Sequence, residues 1–248
     1  MQTEELYARN AGAWSRTRPT SISDFTGRPA VYELCGEVKD ARVVDLGCGE
    51  GYCTREMARR GARETLGIDL SARMIELARE HEAREPLGIQ YREGNVVGLD
   101  LDSESVDLVL AVFVFSYMTC EEMARSFREV RRVLDDGGRF VFAVPHPCLP
   151  FMREQRPPFF FDTRGQGYFS GQDGRFEGRI DCVDGRSLPV GLVHKPLEQY
   201  FDALAGAGFE RLPTVRELRV QDAHLAEHPD LFRPIADVPL HLAFRVEV

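Results

Sequence analysis

The stretch VVDLGCGEG, residues Val43 to Gly51, ends a short apolar run on an aspartate and then sets three glycines in five residues. Val43 to Leu46 reads as a β-strand, and Gly47 to Gly51 opens from its carboxyl end. Glycine lets the backbone turn sharply and lets a ligand approach it closely. A helix that follows such a loop presents N–H groups with no partner of their own.

Working outward, strand and helix signals alternate. CTREMARRG reads as a helix stopped at Gly61, and TLGIDL as a second strand. SARMIELAREHEA is a helix with Ser71 as N-cap, since Met74, Ile75, Leu77 and Ala78 recur near the helical period. Pro86 ends it. IQYRE is a third strand, and VDLVLAVFVF a buried fourth strand with its exit. EEMARSFREVRRVL is an amphipathic helix stopped by DDGG, and RFVFAV a fifth strand. Apolar strands alternating with helices imply a parallel sheet covered on both faces.

The flanks complete the expected fold, a doubly wound, Rossmann-like α/β domain. Residues 1–40 read as a helical cap: Thr3 caps a helix through Leu6 and Tyr7, TRPTSISDFTGRP is a linker, and PAVYELCGEV is a helix with Pro29 in its first turn. Residues 41–144 are the α/β core. Residues 145–194 are rich in Gly, Pro and Phe, with Asp173-Gly174 and Asp184-Gly185 as hairpin signals. They read as a small antiparallel insertion after the fifth strand, serving as a lid, a substrate wall or a dimerisation surface. Residues 195–248 supply a helix, HKPLEQYFDALAGAGF, and two strands, TVRELRV and PLHLAFRVEV. The expected sheet is mostly parallel and seven-stranded, ending in an antiparallel C-terminal pair.

Composition bounds the partners. The formal charge is −9, the pI about 5.3, and there is no dense Lys/Arg run. That argues against nucleic acid and anionic membranes as partners. The lysines are Lys39 and Lys195; arginine supplies the rest of the basic charge. The six cysteines, Cys35, Cys48, Cys53, Cys120, Cys148 and Cys182, form no CxxC pair and no zinc spacing. No metal site is expected, and the thiols suit a reduced, cytoplasmic protein. MQTEELYARN has no apolar signal region, and no apolar stretch approaches ~18 residues. A monomer or homodimer is expected.

Asp69 closes the second strand twenty residues after Gly49. In a βαβ unit an acid there faces ribose hydroxyls, so loop and acid together define an adenosine site. Dinucleotide binders use G-x-G-x-x-G, whose loop and helix accommodate a pyrophosphate. Here the spacing is G-x-G-x-G, with Asp45 two residues before the first glycine. A carboxylate at Asp45 repels pyrophosphate and suits an ammonium. S-adenosylmethionine carries an ammonium, a sulfonium and no phosphate.

DLGCGEG followed by GIDLS resembles the motif pair of class I S-adenosylmethionine-dependent methyltransferases. EGNVVGLDLDSESVDLVLAVFVFSYM resembles that family's third-strand exit, acidic loop and fourth strand, and EVRRVLDDGGRFVFAVPHP its next helix, glycine turn and fifth strand. The resemblance covers about residues 40–147 and is nearest in character to the small-molecule "type 11" methyltransferases. It implies that Asp45, Gly47, Cys48 and Gly49 line the methionine end and that Asp69 binds the ribose. Leu70 and Met74 lie beside the adenine. Asn95 stands where the family has an aspartate, and its amide oxygen still accepts a hydrogen bond. Val96 offers a backbone N–H to the ring, and Ala111 to Phe113 line the reaction side. Tyr7, Trp14 and Arg18 fold over the cofactor. Plainer readings stand beside these: Asp69 as a helix cap, Met74 as core, Asn95 as a turn cap.

Methyl transfer from a sulfonium asks the protein mainly to position and desolvate, with a general base where the acceptor is a hydroxyl or a protonated amine. His146, between two prolines after the fifth strand, is the candidate base; a rigid pocket-shaping histidine is the alternative. Tyr117 is a candidate for orienting the acceptor. His194 reads as a helix start that also faces the cleft; His224, His228 and His241 carry no reading. Phe151, Phe159, Phe160, Phe161, Tyr168, Phe169 and Phe176 form either the wall for an aromatic or otherwise apolar substrate or the insertion's own core. Arg153, Arg156 and Arg164 could pair with a substrate carboxylate. The expected protein is a methyltransferase acting on an oxygen or nitrogen of a small molecule, with S-adenosylmethionine as cofactor and S-adenosylhomocysteine as product. The chain lacks an Asn-Pro-Pro-Tyr type of motif after its fourth strand, against a nucleic-acid or protein amide acceptor. The rival readings are an NAD-dependent oxidoreductase, which needs the missing pyrophosphate spacing, and a methyltransferase fold that binds the cofactor without methylating.

Overall fold

The computed structural model describes residues 18–152 and 158–248. Two short helices come first, α1 (Ile22–Thr26) and α2 (Arg28–Cys35). The core then runs β1 (Arg42–Leu46), α3 (Tyr52–Arg59), β2 (Glu64–Asp69), α4 (Ala72–Arg84), β3 (Gln90–Glu93), β4 (Val106–Val112), α5 (Cys120–Val133) and β5 (Leu134–Pro145). Strands β6 (Phe159–Asp162), β7 (Arg175–Asp181) and β8 (Ser187–Val193) follow. The chain closes with α6 (Leu197–Gly206), β9 (Thr214–Leu218), α7 (Asp222–Glu227), α8 (Pro229–Phe232) and β10 (His241–Glu247).

The main sheet has seven strands in the order β3-β2-β1-β4-β5-β10-β9. Strands β1 to β5 pair in parallel. β10 is antiparallel to both β5 and β9, which sets His241 opposite Pro145. The carboxyl ends of β1, β2 and β4 therefore share one edge with the amino end of β10. A separate antiparallel sheet, β6-β7-β8, forms the insertion.

Side-chain alternation along β5 builds both faces. Phe140, Phe142 and Val144 enter one core with Phe115, Phe127 and Phe244, while Val141 and Ala143 enter the other with Val31, Met57 and Leu108. Phe142 stacks on Phe244 with ring centroids 4.6 Å apart. A third cluster joins Phe176, Ile180 and Leu188 of the insertion to Ile22, Phe232 and Leu240. Residues at both ends of the chain thus fasten the small sheet over the large one.

Helix ends follow the local chemistry. Ser71 accepts from Met74 N at α4. Thr119 and Glu122 form a reciprocal capping box at α5, with acids in its first turn and Arg131 and Arg132 in its last. Pro29 lies in the first turn of α2.

Several expectations change. The segment read as a linker contains α1, because Asp24 Oδ2 accepts from Thr20 N (2.9 Å) and Ser21 N (2.8 Å) and Ile22 is fully buried. DDGG, read as a turn, lies inside β5, where the pairing with β4 shifts register between Val106 and Leu108. Asp184-Gly185 closes the β7–β8 hairpin, with Gly185 at φ 81°. Asp173-Gly174 is not a hairpin turn; it extends the β7–β8 ladder through Asp173 N to His194 O and His194 N to Gly174 O, both 2.9 Å. α7 and α8 had no counterpart in the sequence reading, and the helix expected from Thr3 lies outside the described residues. Among the described residues, no helix is long and apolar enough to cross a membrane.

Candidate active site

A cavity of about 720 Å³ opens at the shared strand edge. Its floor is the loop after β1, and its roof is Phe159, Phe161, Ile180 and Val190 of the small sheet.

The three glycines serve three purposes. All are left-handed, with φ of 67° at Gly47, 56° at Gly49 and 88° at Gly51. A Cβ on Gly47 would meet Val114 at 2.6 Å, while a Cβ on Gly49 would point into open space. Gly49 is thus where a ligand gains the room that a side chain would take. Gly51 lets the chain turn into α3. The N–H groups of Gly47, Cys48, Gly49 and Gly51 are already engaged, the last with Cys48 O at 3.0 Å. Gly47 N and Cys48 N donate to Ile68 O at 2.7 and 3.1 Å, and Gly49 N donates to Asp69 Oδ2 at 2.8 Å. Those loop groups are therefore not available to a pyrophosphate.

Two carboxylates face the loop. Asp45 is buried and accepts from Thr54 Oγ1 at 2.7 Å. Burial pushes its carboxyl up to about 7; the Thr54 bond opposes this and Asp69 adds to it. A buried acid with a single hydroxyl partner fits a cation. Asp69 is also raised by burial, against the N–H bonds from Ser71 (2.9 Å) and Gly49. Each Asp69 oxygen keeps a further lone pair, so it caps the turn and can still accept from a ligand. Leu70 is an exposed apolar side chain on the cavity lip, and Met74 is buried in its lining. Asn95 Oδ1 accepts from Val97 N at 3.1 Å, the turn cap of the plainer reading, while Asn95 and Val96 still border the cavity.

At the exit of β4, Phe113 adopts φ 68°, a strained conformation for a bulky residue. Phe113 N donates to Ala143 O at 2.8 Å and its carbonyl accepts from Ser116 Oγ, which hold that turn. The Phe113 ring lies 5.5 Å from the Arg28 guanidinium and 5.0 Å from the His241 ring. Arg28 Nη1 bonds Asp24 Oδ1 (2.8 Å) and Ser23 Oγ (2.9 Å), yet its Nε is buried without a partner. His241 is buried, and its Nδ1 is likewise unpartnered. Both residues line the cavity, and neither was singled out from sequence. The available signal was a lone polar residue opening the apolar run of β10, on the side of the sheet where the parallel strands end.

The expected residues divide. Asp45, Gly47, Cys48, Gly49, Asp69, Leu70, Met74, Asn95, Val96, Phe113 and Tyr117 all border the one cavity. Ala111 does not: it is fully buried inside β4, and Val112, Phe113 and Val114 take its place. His146 is also displaced. Its Nδ1 accepts from Cys148 N at 3.2 Å, which leaves Nε2 to donate to Glu217 Oε1 at 3.1 Å. Both ring nitrogens are committed, and His146 lies outside the lining. Arg18 is exposed and is not among the residues that line the cavity. Tyr7, Trp14, Arg153 and Arg156 lie outside the described residues. Arg164 is exposed and lies 3.8 Å from Glu177. His194 precedes α6 and packs inside the insertion, 4.6 Å from the Phe151 ring, with Nε2 against Tyr168 O at 2.7 Å. Of the seven aromatics of the insertion, Phe159 and Phe161 reach the cavity; Phe151 and Phe176 pack on each other, and Phe169 is exposed.

Residues 43–138 match the family described as Methyltransferase domain. A demethylmenaquinone methyltransferase of Tropheryma whipplei (strain Twist) is 32% identical over 158 residues, 61% of this chain and 64% of that protein. A ubiquinone biosynthesis O-methyltransferase of Alkalilimnicola ehrlichii is 31% identical over 115 residues, 46% of this chain and 45% of its own length. The chain thus spans less than two thirds of either relative. An S-adenosylmethionine-dependent methyltransferase from Mesorhizobium loti, known from its crystal structure, is 30% identical with a TM-score of 0.66, over 89% of this chain and 96% of that one.

Proposed function

Because the chain belongs to the class I S-adenosylmethionine-dependent methyltransferases, we propose that it methylates an oxygen or nitrogen of a small, apolar-bodied molecule, with an aromatic ring as the favoured body. The observation that carries this reading is the continuity of one cavity, from the acid-flanked glycine loop to the apolar inner face of the small sheet. The quinone-pathway names of the two curated relatives support an aromatic acceptor. The free cysteines support the reducing cytoplasm as its setting.

The residues fit the family's cofactor. Asp45 suits the ammonium of its amino-acid end, and the unpartnered Arg28 Nε–H suits the carboxylate beside it. Asp69 offers lone pairs to ribose hydroxyls. Leu70, Met74, Asn95 and Val96 border the space for the base. When bound, S-adenosylmethionine supplies a methyl group already activated by a positively charged sulfur. What remains for the chain is placement. Phe113, held in its strained turn, and the Val114–Tyr117 segment wall the space beside the loop, and the insertion roofs it with Phe159, Phe161, Ile180 and Val190.

A radiolabelled methyl-donor assay against a panel of phenols, aromatic amines and aromatic carboxylates tests the reading. Transfer to at least one phenol or amine is expected. Binding of the donor with no transfer to any member would favour a cofactor-binding protein that does not methylate.

A further inference from the structure

His241 opens β10 at the sheet edge where β4 and β5 end, and it borders the cavity. Its Nε2 lies 3.2 Å from Thr26 Oγ1, and that hydroxyl donates its hydrogen to Ile22 O at 2.9 Å. Thr26 Oγ1 therefore accepts, and Nε2 carries the proton. Nδ1 is then a bare lone pair, buried and without a partner. Burial first, then Arg28 and His146, push the imidazole down to about 3, so it is neutral at neutral pH. The Cδ2 edge faces the α1–α2 junction, where a Cβ on Gly27 would meet it at 3.3 Å. The rings of Phe113 and Phe159 flank the imidazole at 5.0 and 6.5 Å.

A buried acceptor without a hydrogen is destabilising, so a site retains one where a ligand supplies that hydrogen. A carboxylate held by Arg28 has none to give, and a lone pair repels it. Resting on the reading above, we propose that His241 Nδ1 is the binding point for the acceptor molecule, taking a hydrogen bond from a hydroxyl or N–H on an aromatic ring packed against Phe113 and Phe159. The site thereby selects acceptors that carry a donor hydrogen at that position. The hydrogen that marks the nucleophilic atom is the one His241 reads.

Two conservative variants separate this role from a structural one. His241→Asn keeps an acceptor near the Nδ1 position and loses the Thr26 contact. His241→Gln reaches toward Thr26 and loses the Nδ1 acceptor. The probes are phenol, aniline and toluene, which share a shape, titrated by protein-observed NMR into chain saturated with S-adenosylhomocysteine. Phenol, aniline or both are expected to bind the natural chain roughly ten-fold tighter than toluene. His241→Asn is expected to keep most of that preference and His241→Gln to abolish it, with S-adenosylhomocysteine affinity within about two-fold in both. The proposal is overturned by equal binding of all three probes, by an intact preference in His241→Gln, or by a fall in S-adenosylhomocysteine affinity that parallels the loss. Absence of S-adenosylhomocysteine binding by the natural chain would instead overturn the cofactor reading beneath it.

Discussion

In the proposed function, cofactor choice turns on Asp45. In the free protein its carboxyl is pushed up to about 7, and an ammonium beside it favours the charged form. Binding below that pH therefore expels a proton, and affinity for S-adenosylhomocysteine should climb between pH 6 and pH 8. Calorimetry in buffers of different ionisation enthalpy reads the proton directly. The stability sign is opposite: the folded chain keeps a proton that the unfolded chain releases above about pH 4, so the free protein loses stability as pH rises from there to about 7. Asp45→Asn should flatten that slope and weaken binding. Asp69→Ala should weaken S-adenosylhomocysteine binding by about 2 kcal/mol, read by the same titration. For His146→Asn, an unchanged kcat across pH is expected, since both nitrogens serve local bonds. The place of Asp45 and Asp69 at the cavity was legible because it follows from spacing along one βαβ unit. Arg28 and His241 were not. His241 meets Thr26 across 215 positions of sequence, a meeting set by the pairing of β10 with β5.

At the scale of elements, the loop after β1 couples strand, turn and ligand space. Gly47 and Gly49 are both left-handed but should fail differently. Gly47→Ala meets Val114 and should cost about 2 kcal/mol or more of stability, measured by denaturant unfolding. Gly49→Ala has room and should cost nearer 1 kcal/mol, while its methyl occupies ligand space and lowers S-adenosylhomocysteine affinity more than stability. Equal effects of the two on binding would remove the distinction. The core strands were readable because apolar runs and glycine stops are local signals. The short α1 was missed because its Ser and Asp serve turns and helix caps alike, and only the burial of Ile22 against the insertion decides between them.

At the scale of the whole molecule, the proposed function gives the cofactor the sheet side of the cavity and the acceptor the insertion side. The two should separate experimentally. Val190→Ala, on the roof, should cost about 1–3 kcal/mol of stability and raise the acceptor KM several-fold while leaving S-adenosylhomocysteine affinity unchanged. A matching loss of cofactor affinity would show that the halves are not independent. The doubly wound order was legible from the alternation of strands and helices; which insertion aromatics face the cavity was not, because Phe159 and Phe161 are distinguished from their neighbours only by the register of β6 on β7. In the proposed function, the engaged N–H groups of the glycine loop and the buried Asp45 admit an amino-acid-bearing nucleoside and refuse a pyrophosphate. Calorimetric titration at pH 8 of S-adenosylhomocysteine and of NAD tests it most directly: the account predicts binding of the first and none of the second, and binding of NAD without S-adenosylhomocysteine would contradict it.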